Sequence, residues 1–236
     1  MTLSRRPAIM GIVNVTPDSF HDGGSYLPPA AAVAHALNLM HAGADIIDVG
    51  AVSTRPGHPA VTEGRELARL IPVLDALRGK VSVPLSVDTV SPAVAAEALA
   101  RGVTVLNDQS GGRLLPLALD AGADYIGMYP GGEAAGETFA AVRAHFERLL
   151  AAFPDHGRLC LDPGIGFCHD RMSEIDLIER LPELLDGLPP VDILVGVSHK
   201  RLTKLYPDGT RALEALALRS GATVIRTHEV AGEAKE

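Results

Sequence analysis

Eight short β-like runs alternate with Ala-rich amphipathic stretches along this chain, and the alternation leaves few folds open. The runs are Ile9–Val13, Ile46–Val49, Leu85–Val87, Thr104–Leu106, Tyr125–Met128, Leu159–Leu161, Ile193–Val195 and Thr223–Ile225. Helical patterns are read over Pro29–His41, Glu63–Leu77, Pro92–Arg101, Glu137–Ala152, Ser173–Leu185 and Lys200–Ser220, with a short helix near Arg113–Leu119. Strands that alternate with helices predict a parallel sheet joined by crossovers. Eight such units in 236 residues match an α/β fold, a single (β/α)8 TIM barrel; a doubly wound open sheet is the alternative. Little sequence follows the eighth run, so the last barrel helix is expected to be shortened or missing. No linker, low-complexity segment or charge block divides residues 1–236, which are read as one domain.

The strand ends carry the chemistry. Run one stops at Asn14, and run two leads through Asp48 to Ser53-Thr54-Arg55-Pro56-Gly57. The others end in Asp88-Thr89, Asn107-Asp108, Met128-Tyr129, Asp162-Pro163-Gly164, Ser198-His199-Lys200 and Arg226-Thr227-His228. In a barrel these ends converge on the face that holds active sites. A lone polar end is usually a turn or a cap, and Asp88-Thr89 could simply cap the next helix. Capping alone explains poorly why nearly every end turns polar on the same side.

An ionised Asp only accepts hydrogen bonds, Asn does both, and Lys only donates. Asp88, Asn107, Asp162 and Lys200 at one mouth therefore suit a flat heterocycle with an amino-pyrimidinone edge, and the planar guanidinium of Arg226 suits its ring face. Asn14, Arg55 and His228 suit an anion or a metal-bound phosphate. The competing reading is an internal salt-bridge network around Lys200.

Bulk properties narrow the partners. The formal charge of −8 and an aromatic content of 4% without Trp argue against nucleic-acid binding. No apolar run reaches membrane-spanning length. Two cysteines, Cys160 and Cys168, are too few for a disulfide scaffold and suit a reducing compartment, so a cytoplasmic protein is expected. With His169 they match no zinc spacing. Gly131-Gly132 reads as a turn, because no Lys-Ser/Thr follows it.

Taken in order, MGIVNVTPDSF from Met10 to Phe20, the Ser53–Gly57 loop, Ser86–Thr89, Asn107-Asp108, DPGIGF from Asp162 to Phe167, Ser198-x-Lys200 and Arg226-x-His228 resemble the dihydropteroate synthases of the pterin-binding TIM-barrel group. The resemblance runs from Ile9 to Val230. It implies a transferase of folate biosynthesis that joins 7,8-dihydropterin-6-ylmethyl diphosphate to p-aminobenzoate and releases diphosphate with the help of Mg²⁺. Asp88, Asn107, Met128, Asp162, Phe167, Lys200 and Arg226 would bind the pterin. Phe20, Thr54, Arg55, Pro56, Phe167 and Ser198 would line the second-substrate pocket. Asn14, Asp22, Arg55, Lys200, Arg226 and His228 would be catalytic, Asn14 would meet the metal, and Asp18–Gly24 and Ser53–Gly57 would close over the site. A homodimer built on barrel helices late in the chain is implied as well.

The chain departs from that pattern at Ala51-Val52, Tyr129, Cys168-His169, His199 and Glu229, mostly around the second substrate. A pterin-binding paralogue without synthase activity, or one with a different amine acceptor, is therefore the alternative. A methyl-transferring barrel that uses a reduced folate fits the NVTPDSF and STRPG loops less well.

Overall fold

A computed structural model describes residues 7–15, 29–52, 61–134, 136–168, 171–205 and 208–230. The strands are β1 (Ala8–Asn14), β2 (Ile46–Gly50), β3 (Leu85–Asp88), β4 (Val105–Asp108), β5 (Asp124–Met128), β6 (Leu159–Asp162), β7 (Asp192–Val195) and β8 (Val224–Thr227). They form a closed, all-parallel barrel in chain order. Pairing of Ala8 with Val224 and of Met10 with Arg226 joins the last strand to the first. The open-sheet alternative is thereby excluded.

The helices are α1 (Pro29–His41), α2 (Glu63–Leu77), α3 (Pro92–Leu99), α4 (Leu115–Ala121), α5 (Thr138–Ala152), α6 (Arg171–Glu179), α7 (Leu181–Leu185) and α8 (Thr210–Arg219). Two expected helices are shorter than the periodicity suggests. Ser173–Leu185 is two helices, because Pro182 opens α7 and Arg180 serves as its non-helical cap. Lys200–Ser220 is a 3-10 turn over Arg201–Leu205 followed by α8. The expectation about the last helix falls on residues 231–236, outside the described ones. Among the described residues no helix is long and apolar enough to cross a membrane.

Each helix turns a 3.6-period stripe inward. On α2 the buried side chains are Glu66, Leu70, Val73, Leu74 and Leu77. Ser91, rather than Asp88 or Thr89, caps α3: its Oγ accepts from Val94 N at 3.3 Å, and Pro92 occupies the first turn, where a missing N–H costs nothing.

Strand alternation then sorts the side chains. Ile47, Val49, Val87, Leu106, Tyr125, Leu161, Ile193, Val195 and Ile225 face the helices within one continuous core. A separate apolar layer of Ala8, Met10, Ile46, Val105, Ile126, Cys160, Leu194 and Val224 fills the barrel interior. Two residues further along β2, β4, β5, β6 and β8, on the same inward face, stand Asp48, Asn107, Met128, Asp162 and Arg226. The polar ring thus lies directly on the apolar plug at the C-terminal mouth.

Candidate active site

Arg226 is the centre of the polar ring. Its guanidinium bridges two carboxylates: Nε donates to Asp48 at 2.7 Å and Nη2 to Asp88 at 2.8 Å. Asp48 is fully buried and also accepts from Asn107 Nδ2 at 3.0 Å. Asp88 accepts from Gln109 Nε2, which lies 2.8 Å from each of its oxygens. The ion-pair network is therefore organised on Arg226, not on Lys200 as the competing sequence reading supposed.

Lys200 and Asp162 form the other side. Lys200 Nζ donates to the Ile165 carbonyl and lies 5.6 Å from the centroid of the Phe167 ring. Asp162 turns its own loop by accepting from Gly164 N at 2.8 Å. Two glycines of DPGIGF let this loop come close. Gly164 has φ +73°, and a side chain there would meet the Tyr129 carbonyl at 2.2 Å. Gly166 has φ +95°, and a Cβ would lie 2.9 Å from Lys200 Cδ.

Burial and crowding set the charges. Burial raises the Asp88 carboxyl to about 7 against the pull of Arg226, helped by the like charges of Asp48, Glu66 and Asp162. Burial likewise raises Asp162, opposed chiefly by Lys200. Lys200 is lowered by burial, and Asp162 resists that shift. Burial also works against the charge of Arg226, but Asp48 and Asp88 outweigh it and hold the guanidinium up. A ligand edge that offers several N–H groups would favour the ionised, accepting form of these raised carboxyls.

A second cluster sits one layer higher, at Asn14, Ser198 and His228. Asn14 Nδ2 lies 3.2 Å from His228 Nε2, and Ser198 Oγ lies 3.0 Å from His228 Nδ1. The NH₂ group of Asn14 only donates, so in this amide orientation Nε2 accepts and Nδ1–H donates to Ser198, which corresponds to one neutral tautomer. The ring of His199 stacks on that of His228, with centroids 4.4 Å apart and planes 4° apart. His199 takes the left-handed backbone, φ +58°, and its Nε2 faces Glu229 Oε1 at 3.8 Å.

The structure thus brings together Asp88, Asn107, Met128, Asp162, Phe167, Lys200 and Arg226 in one group and Asn14, Ser198 and His228 in another. Phe20, Asp22, Thr54, Arg55 and Pro56 lie outside the described residues. Sequence reasoning passed over Asp48, although its position two residues after Ile46 marks it as inward-facing. It also passed over Gln109, for which no periodicity gave a signal. Asp108, named there beside Asn107, points the other way. It accepts from Tyr125 Oη at 2.7 Å and from Leu114 N at 2.9 Å, and so fastens the loop after β4.

The profile of the family described as "Pterin binding enzyme" matches residues 10–228. A dihydropteroate synthase of Staphylococcus haemolyticus is 36% identical over 241 residues, which span 94% of this chain and 89% of that protein. The structure of Xanthomonas albilineans dihydropteroate synthase with 4-aminobenzoic acid superposes with a TM-score of 0.85 at 39% identity, over 97% of this chain and 90% of that one. The same enzyme in complex with 7,8-dihydropteroate gives a TM-score of 0.83 at 36% identity, with the same two coverages. With the barrel, the inward polar ring and these relatives in agreement, the chain belongs to the pterin-binding enzyme family and, within it, to the dihydropteroate synthases.

Proposed function

We propose that this chain condenses 7,8-dihydropterin-6-ylmethyl diphosphate with p-aminobenzoate to give dihydropteroate and diphosphate. The observation that carries the reading is the ring of buried Asp88, Asn107 and Asp162 with half-buried Lys200 and Arg226, an acceptor-rich floor with two cations. The complexes of the Xanthomonas enzyme with 4-aminobenzoic acid and with 7,8-dihydropteroate support both the amine and the product.

In this reading Asp88 and Asp162 accept the pterin's N–H groups, Lys200 donates to its carbonyl, and Asn107 reads a ring nitrogen. The C–O bond to diphosphate breaks first, and its electron pair leaves with the diphosphate. The cationic methylene is stabilised by the pterin's own ring electrons. The amine lone pair then forms the C–N bond, and the nitrogen sheds its proton afterwards, so little general-base help is needed. The Arg226 cation offsets the charge that builds on the leaving group, and the resemblance assigns Arg55 and His228 to the same task. The resemblance assigns the Asp18–Gly24 and Ser53–Gly57 loops to holding the amine and keeping water from the cation. The chain's contribution is chiefly positioning and electrostatics.

The resemblance also implies Mg²⁺. Asn14 donates to His228 through its amide nitrogen, and its carbonyl oxygen is the hard ligand that Mg²⁺ takes. Among the described residues no group of three His, Cys, Asp or Glu side chains is gathered to hold a metal ion. The donor set therefore fits a cation carried mainly by substrate phosphates, with Asn14 as its protein contact. When bound, Mg²⁺ would neutralise charge on the departing diphosphate.

The test supplies the pterin diphosphate, Mg²⁺ and p-aminobenzoate and follows diphosphate release. Turnover that depends on the amine is expected. Intact pterin binding by calorimetry with no turnover at high enzyme concentration would overturn the synthase reading in favour of a pterin-binding paralogue.

A further inference from the structure

Gln109 occupies a telling place beside the ring. It lies two residues beyond Asn107, whose Cα pairs with that of Asp88 on the neighbouring strand. From there its side chain reaches across to β3 and centres Nε2 on the Asp88 carboxylate, 2.8 Å from Oδ1 and 2.8 Å from Oδ2. The amide orientation follows from charge. Turned the other way, Oε1 would face two carboxylate oxygens. Oε1 itself is buried and, among the described residues, has no hydrogen-bond partner. A side chain present only to fill space would not adopt this arrangement, which leaves a buried acceptor unused to keep its donor on one carboxylate.

Asp88 needs that donor. The charged groups that act on it are Asp48 from β2, Glu66 from α2, Asp162 from β6 and Arg226 from β8, and of these four only Arg226 favours its ionised form. Arg226 approaches Oδ2 alone. Gln109 supplies the contact to Oδ1 and fixes the carboxylate plane from the β4 side.

We propose that Gln109 is a positioning residue for pterin recognition: its amide holds the Asp88 carboxylate in the plane and orientation in which it takes the pterin's N–H groups. The inference rests on the reading of Asp88 as a pterin contact. Gln109 acts through Asp88.

The test replaces Gln109 with Met, which has similar length and flexibility and no N–H. Calorimetry with 7,8-dihydropterin-6-ylmethyl diphosphate should show affinity reduced about ten-fold, the loss of one hydrogen bond to a charged group. In steady-state assays the loss should fall on KM for the pterin and leave KM for the amine unmoved. Gln109→Glu gives an independent readout. It should bind poorly at pH 8 and recover toward wild type at pH 5.5, each compared with wild type at the same pH, because a protonated carboxyl donates to Asp88 again. Wild-type affinity in the Met variant, or a Glu defect that does not change with pH, would overturn the role of Gln109. A wild-type protein that binds no pterin would instead refute the reading of the site itself.

Discussion

Replacing Asp88 with Asn should abolish pterin binding and make the stability of the barrel less dependent on pH. In the folded protein the Asp88 carboxyl titrates at about 7, against 3.8 for an ordinary Asp. A raised folded value means that the native state holds the proton longer than the unfolded chain. The stability this group contributes is therefore fully present below the unfolded value and is lost as pH rises through the folded one. At pH 5 about 2 kcal/mol of that stability has already gone, and at pH 8 about 4 kcal/mol. Asn carries no titrating group, so the Asn variant should gain about 2–3 kcal/mol on wild type between pH 5 and pH 8. Its absolute stability at either pH is set partly by packing, because the new NH₂ must avoid the donors of Gln109 and Arg226. The difference between the two pH values cancels that cost. Urea unfolding of both proteins at pH 5 and pH 8 gives four free energies and one double difference. A double difference near zero, or the opposite sign, would show that Asp88 is not held in its protonated form by its surroundings. Calorimetry of the Asn variant with the pterin diphosphate should show no binding; wild-type affinity would remove Asp88 from the recognition set.

Asp162→Ala should weaken pterin binding by about a hundred-fold or more, because it removes an acceptor for the pterin's N–H groups and the carboxylate that most favours the Lys200 charge; unchanged affinity in calorimetry would refute the pocket assignment. Gly166→Ala adds a methyl 2.9 Å from Lys200 Cδ at a backbone angle that disfavours side chains, so pterin KM should rise about ten-fold with a stability loss of roughly 1–2 kcal/mol. Wild-type kinetics in that variant would mean that Lys200 is not held where it appears. Arg55→Ala should slow turnover by at least about ten-fold and leave pterin affinity nearly unchanged, as expected for a group that meets the leaving group or the amine. Equal loss in both measurements would assign Arg55 to the pterin instead.

The barrel was legible because nearly every strand runs into a polar end and each is separated from the next by a helical period. All eight observed strands overlap the predicted runs and differ from them by one or two residues at the ends. The misread helices failed for local reasons: apolar spacing continues through Pro182 and through the 3-10 turn before α8, so periodicity alone bridges both breaks. The site was legible where a carboxylate or amide falls at a strand end, as at Asp88, Asn107 and Asp162. Asp48 was read only as a stepping stone to the next loop, because it sits inside its strand with apolar neighbours on both sides. The cue was available, since its spacing from Ile46 places it in the inner layer. Gln109 and the stack of His199 on His228 had no such cue. Both depend on contacts across strands, which no local pattern encodes.

Arg226 and Asp48, which meet at 2.7 Å, are separated by 178 positions along the chain. The ligand floor therefore draws on the second strand to be synthesised and on the last, and it exists only after the chain has come full circle. A fragment that stops before β8 lacks the central cation that Asp48 and Asp88 share. Ligand that binds only the completed ring would add its binding free energy to closure of the whole barrel. A newly made molecule thus gains its grip on the pterin at the step that joins its first strand to its eighth, so pterin affinity can report barrel closure in any variant that keeps the ring residues unchanged.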